Sequence, residues 1–348
     1  PPYPPPTSSP PQPPPLRTIA PSQSLHEQVM LELGAIPKLL GILASSSDEP
    51  ILSCHAAGAL GNLLFSPGAR DAFLAETVEG KNGIRLLVEA LEGPPEHDDQ
   101  ACSLCLVVMN ACFEHEPCRE ELEKAGGINA LVACLAYDAH FVRAAASGAI
   151  LNAAFTANCA EAVRDAAVEV EIRQKAVAFS GFELLVRLLS AEHPRLRSRG
   201  AGALFNCAAF GPDNRQEMRS QGVLKAVIGA LQTDRLGAPP TAEDGLAYRI
   251  QSNLLGVIMN AALNPACKAE IIDSGGIAPL LAAAKSSDET VQVRQLRRLC
   301  RWTRGLCGIY AGGHVASAAS MPVDTWPLRH LCRWTRGLLR VLHAVGRS

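Results

Sequence analysis

GALGN (Gly58–Asn62), LVVMN (Leu106–Asn110), GAILN (Gly148–Asn152), GALFN (Gly202–Asn206) and GVIMN (Gly256–Asn260) are variants of one short pattern, each closing on an asparagine. The asparagines are 48, 42, 54 and 54 residues apart. Self-similarity at a period of about 40–47 residues marks a solenoid of two- or three-helix units, each burying its apolar face against its neighbours. Such arrays present one long surface on which equivalent residues recur as a ladder. The pattern predicts a binding protein.

A second marker runs in phase with the first. Aliphatic helices open at Gly34, Gly83, Gly127, Gly181, Gly222 and Gly276, as in GIRLLVEAL and GINALVACL. From glycine to the following asparagine the distances are 28, 27, 25, 25 and 38 residues. The long one contains TDRLGAPPTAEDG (Thr233–Gly245), whose Gly, Pro and Asp content predicts an inserted loop. From asparagine to the next glycine they are 21, 17, 29, 16 and 16 residues. The stretch of 29 holds AEAVRDAAVEVEIRQKAVAF (Ala160–Phe179), which is expected to be a lengthened helix. Each marker glycine is expected to end one helix in a left-handed cap and release the next at a new angle.

Composition agrees with an all-α class of about five to six repeats. Hydrophobic residues are 48% of the chain and aromatics only 5%, with Ala, Leu and Gly prominent. Ala and Leu are strong helix formers, and small side chains let helices approach closely. The net charge of −2 conceals an asymmetry. Ten arginines and one acid (Asp324) fall between Val291 and Ser348, leaving an acidic body that argues against a uniformly basic nucleic-acid binder. The twelve cysteines and the lack of a recognisable secretory signal point to a reducing compartment, cytoplasm or nucleus. The longest apolar run, near Leu254–Leu263, is too short to span a bilayer.

Three regions are expected. Residues 1–23 are Pro-rich and non-globular, with PxxP spacing from Pro2 to Pro5 that could dock to a proline-binding module. The solenoid occupies 24–310. Residues 311–348 form an Arg-rich, partly irregular tail, and LCRWTRGL occurs twice, at Leu299–Leu306 and Leu331–Leu338, out of phase with the repeats. The first copy is expected to cap the last core face. The tail could also lie back on acidic parts of the body within a Debye length of roughly 10 Å.

The units resemble armadillo repeats. The resemblance rests on the Gly-Ile-aliphatic openings (GGINALVACL, GGIAPLLAAA) and on third helices written AAGALGN, ASGAILN and GAGALFN. It implies a right-handed armadillo-type α-solenoid that grips an extended peptide in the groove of successive third helices. It also implies that Asn62, Asn110, Asn152, Asn206 and Asn260 hydrogen-bond the ligand's main chain. A carboxamide suits that task because it carries both donors and an acceptor. Importin alpha places tryptophan four residues before each asparagine. Here those slots hold Gly58, Leu106, Gly148, Gly202 and Gly256, closer to beta-catenin-like and vacuolar-type arrays.

Residues seven and eleven positions before each asparagine share its helical face. At minus seven stand His55, Ser103, Arg199 and Asn253, and at minus eleven Arg195 and Arg249, so the later half of the groove reads as basic and suited to an acidic segment. The alternative, nucleic-acid association, would use Arg294, Arg297, Arg298, Arg301 and Arg304 with Trp302 stacking on a base. Cys102, Cys105, Cys112 and Cys118 near His115 suggest zinc by spacing, but most of them fall within one helix that cannot converge them tetrahedrally. Packing is the expected role. His140 and His193 are expected at element edges without a shared partner. No metal, no cofactor and no enzymatic activity is expected, since no phosphate loop, HExxH, GxSxG or paired CxxC occurs.

Overall fold

The computed structural model describes residues 28–45, 49–92, 98–172, 175–233 and 244–279. The Pro-rich segment, residues 234–243, both LCRWTRGL copies and the Arg-rich tail lie outside them. After helical residues 28–32, helices α1 (Ala35–Ser45) and α2 (Pro50–Leu63) complete a first unit. The second is α3 (Pro67–Ala75), α4 (Gly83–Glu92) and α5 (Asp98–Ala111). The third is α6 (Glu116–Lys124), α7 (Gly127–Cys134) and α8 (His140–Ala153). The fourth is α9 (Ala157–Asp165), α10 (Gly181–Leu189) and α11 (Pro194–Ala209). The fifth is α12 (Pro212–Ser220), α13 (Val223–Thr233) and α14 (Asp244–Ala261). Helix α15 (Pro265–Asp273) opens a sixth. The predicted insertion therefore sits between α13 and α14.

Each unit is amphipathic in a way that requires neighbours. In α4 the apolar residues Ile84, Leu87, Val88 and Leu91 recur at helical spacing and are all buried. In α10 Phe182, Leu185 and Leu189 do the same. First helices are short and polar, and several begin on a proline, as at Pro67, Pro212 and Pro265, where the missing N–H is not needed. One core cluster runs unbroken from Ala35 to Ile271. The third helices α2, α5, α8, α11 and α14 pack against one another in succession.

A recurring arginine joins three of the units to the one before. Arg70 of α3 donates from Nε to the Leu64 carbonyl (2.8 Å) and from a terminal nitrogen to Phe65 (3.1 Å). Arg119 of α6 donates to Cys112 (2.8 Å) and Arg215 of α12 to Ala208 (3.2 Å). The acceptors lie at the ends of third helices, where carbonyls have no intrahelical partner. Arg70 and Arg119 also lie over Phe113 and Phe155, which follow the third helices of their own units, at 5.7 and 5.2 Å from the ring centres.

The predicted lengthened helix is corrected. Helix α9 stops at Asp165, and β3 (Ala167–Ile172) pairs antiparallel with β4 (Lys175–Ser180). The segment VEVEI alternates with period two, which is incompatible with a helical stripe. Phe179 is buried opposite Val168, with the Arg187 guanidinium 4.3 Å from its ring centre. A smaller hairpin, β1 (Thr77–Val78) and β2 (Lys81–Asn82), occupies the same junction two units earlier. Its turn residues Glu79 and Gly80 both have positive φ (54° and 76°), as a tight two-residue hairpin demands.

The marker glycines divide into two roles, which corrects the uniform cap. Gly34 and Gly222 adopt the left-handed conformation, whereas at Gly127 and Gly276 the preceding residues Gly126 and Gly275 adopt it and the markers themselves pack against Leu122 and Ile271. Gly83 and Gly181 follow the hairpins and serve close packing. A Cβ at Gly181 would lie 2.2 Å from the Val163 carbonyl oxygen.

Cysteine behaves as a packing residue. Cys105, Cys112, Cys118, Cys134, Cys159, Cys207 and Cys267 are buried free thiols. His115 caps α6, accepting from the Cys118 N–H (3.2 Å), and contacts Asp71 (3.1 Å). Among the described residues no group of His, Cys, Asp and Glu could hold a metal ion, and no helix is long and apolar enough to cross a membrane.

Two glycines give a paired test of this packing. Gly181→Ala places a methyl against fixed backbone and should cost about 1–3 kcal/mol, as overpacked sites do. Gly229→Ala, within α13 and with no atom within 4 Å of the added carbon, should be neutral or stabilising by up to about 1 kcal/mol. Urea midpoints of the two variants should move in opposite directions or not at all for the second.

Candidate functional site

Each third helix presents one stripe of four positions, at minus eleven, minus seven, minus four and zero relative to its asparagine. In α2 these are Ile51, His55, Gly58 and Asn62; in α5, Asp99, Ser103, Leu106 and Asn110. In α8 they are Phe141, Ala145, Gly148 and Asn152. In α11 they are Arg195, Arg199, Gly202 and Asn206, and in α14 Arg249, Asn253, Gly256 and Asn260. Side by side, the stripes pass from apolar and neutral through Asp99 to a basic end.

The asparagines form a ladder across the helices. Asn110 donates from Nδ2 to the Gly61 carbonyl (2.9 Å), Asn152 to Met109 (2.8 Å) and Asn206 to Leu151 (2.8 Å). Each acceptor directly precedes the previous unit's asparagine, so the bonds keep the helices in register. A second N–H and the carbonyl oxygen of each amide remain for another partner. Asn62 is exposed, Asn110, Asn152 and Asn260 are half-buried, and Asn206 is only 4% exposed.

The minus-four slots are occupied by the protein itself. A Cβ on Gly148 would lie 2.6 Å from the Met109 sulfur and 3.1 Å from Arg199 Cζ. At Gly202 the neighbours are Leu151 (2.8 Å) and Asn253 (3.1 Å), and at Gly256 the ring of Phe205 (2.5 Å). The residue just before each asparagine therefore covers the glycine of the next unit. Among the described third helices, only the first two lack this cover: Gly58 has no atom within 4 Å of an added carbon, and Leu106 is an exposed leucine.

The basic end has its own electrostatics. Arg199 crosses to α8 and donates to the Ala144 carbonyl. Burial lowers its pKa from the ordinary value, and neighbouring Arg195 adds to that, yet a guanidinium remains charged. Arg195 is half-buried and Arg249 exposed. His140 and His193, expected to stand apart, instead stack with ring centres 6.2 Å apart and planes inclined by 23°. The period-matched stripe did not include them, because they sit at helix starts and meet only when α8 and α11 pack. The covering residues Met109, Leu151 and Phe205 were also missed. Their signal is a bulky side chain just before one asparagine aligned with a glycine in the next repeat.

No protein-family model matches the chain, and no curated protein matches it. Solved structures do. An engineered protein from the Northeast Structural Genomics Consortium matches with a TM-score of 0.64 at 22% identity, over 78% of this chain and 97% of its own. A designed armadillo repeat protein in complex with the peptide (KR)4 matches at 0.61 and 17% identity, over 77% and 99%. Computationally designed armadillo repeat proteins for modular peptide recognition match at 0.61 and 17%, again over 77% and 99%. At these identities the likeness concerns the fold, and the chain folds as an armadillo-type solenoid.

The ladder bonds imply unequal costs along the array. Asn206→Ala removes an interhelical bond from a buried site and should destabilise by about 1–3 kcal/mol. Asn62→Ala alters an exposed side chain and should stay within about 0.5 kcal/mol of the parent in urea denaturation.

Proposed function

We propose that this chain is a non-catalytic protein-binding scaffold that holds an extended, acidic segment along the stripes of its third helices. The observation that supports this best is the charge of the stripe in α11 and α14. Arg195 and Arg249 stand at matched positions on successive helices, with Arg199 one turn along from Arg195, and none of the three is engaged in an ion pair among the described residues. A row of cations one helix spacing apart fits carboxylates on an extended chain. Asn62, Asn110, Asn152, Asn206, Asn253 and Asn260 would supply carboxamides for the ligand's main chain, using groups not spent on the interhelical ladder. Asn62 is the freest of them, and Asn206 would need its cover displaced.

Lysine-rich ligands held between aromatic walls do not suit this surface. Its minus-four slots contain no aromatic residue, and three are covered from within. The cationic (KR)4 ligand of one structural neighbour thus contrasts with the anionic one proposed here.

The test uses a rhodamine-labelled oligo-aspartate peptide, with oligo-asparagine and oligo-lysine of the same length as controls, in fluorescence anisotropy. Arg195→Glu with Arg249→Glu should weaken the acidic peptide about tenfold or more at low salt, while the thermal midpoint stays unchanged because both side chains reach solvent. Equal affinity of parent and variant, or preference for oligo-lysine, would refute the proposal.

A further inference from the structure

We infer that the N-terminal ends of α8 and α11 form a pH-dependent anion subsite, in which Arg195, Arg199 and the stacked His140–His193 pair receive an acidic side chain of the bound segment. This deepens the groove reading and rests on it for the identity of the ligand, though not for the existence of the subsite. His140 is the first residue of α8 and His193 the N-cap of α11, so the seam between two units brings the rings together. His193 Nδ1 accepts from the Arg195 backbone N–H (3.2 Å), which leaves Nε2 to carry the proton of the neutral ring toward solvent.

The surrounding groups are four arginines, three carboxylates and a thiol. From α8 comes Arg143, which donates to the Asp138 carbonyl, and from α11 come Arg195, Arg197 and Arg199. Arg197 donates to the carbonyls of Ala191 and Glu192. From α5 come the thiol of Cys102 and the carboxylate of Asp99, and from the flanking loops Asp138 and Glu192. Among the described residues none of these three carboxylates forms an ion pair with the arginines or the two histidines. Burial first, then Arg195, His140, Arg197 and Arg199, hold the His193 imidazole below its ordinary pKa.

The charges that act on His193 are cations, and they repel its protonation. An anion placed beside them supplies an opposite charge and favours the imidazolium. Linkage fixes the sign: an anion that prefers protonated His193 is bound with proton uptake, so its affinity rises as pH falls through the His193 titration. With His193 neutral at higher pH the subsite offers only the arginines and weaker, uncharged donors.

The full-length chain is titrated with rhodamine-labelled oligo-aspartate, whose carboxylates stay ionised over the range used. Binding should tighten about tenfold from about pH 7.5 to about pH 5.5, the range in which histidine titrates. His140→Gln with His193→Asn, which keeps a capping residue at the start of α11, should lose nearly all of this gain between the two pH values. In parallel, sulfate alone is added while the two imidazoles are followed by NMR, assigned through the same substitutions. Sulfate should raise the His193 titration midpoint. Peptide binding that is indifferent to pH, or a pH gain that survives the double substitution, overturns the subsite and leaves the groove reading standing. A sulfate-dependent rise without any peptide binding keeps the subsite and refutes the groove reading. Sulfate that leaves both midpoints in place overturns the subsite outright.

Discussion

The closeness of consecutive third helices is the constraint on which the rest of the array depends. At Gly148, Gly202 and Gly256 the space of a single methylene is already taken by Met109, Leu151 and Phe205 of the preceding unit. That approach brings the next asparagine within 2.8 Å of the Met109 and Leu151 carbonyls. Glycine, covering side chain and carboxamide thus form one joint, repeated along the ladder. Because interiors are close-packed, a change in any of the three shifts the register of everything beyond it. Second helices then pack behind a spine whose spacing is already set.

Where the joint is incomplete, the surface opens. Gly61 has no side chain to cover the following slot, and Leu106 stands where later units have glycine. His55, Gly58 and Asn62 are exposed, with no earlier third helix among the described residues, while the later stripe is closed in its middle and charged at its helix starts. One sequence motif therefore yields two surfaces, a more open neutral one and a covered basic one. The arginines that finish α2, α5 and α11 act at the opposite ends of the same helices. They satisfy terminal carbonyls that would otherwise need water.

Both hairpins enter between a first and a second helix, in alternate units, and never beside a third helix. That placement explains how the repeat tolerates them. The junction lies away from the spine, so added residues leave the spacing of α5, α8 and α11 unchanged. The long hairpin is anchored at its base by Phe179 and reaches α7 of the preceding unit through β3.

Much of this was legible in the chain of letters. The repeat, its phase, the insertion between α13 and α14, the all-α solenoid and the packing role of cysteine follow from periodic apolar residues, because a helix face can be buried in few ways. The Ala160–Phe179 segment was misread because its length and its Ala, Glu and Lys content favour helix, whereas its period of two favours strand. Position along a helix, counted from each asparagine, sets Arg195 level with Arg249 and Arg199 level with Asn253. What no spacing could show is which side chains meet across a seam: Arg199 over Gly148, Phe205 over Gly256, His140 against His193. Those contacts join residues about fifty apart, and they depend on how far two helices approach and at what rotation. Local sequence determines each helix and its apolar stripe; only the packed array decides which polar groups are spent on holding it together and which remain for a partner.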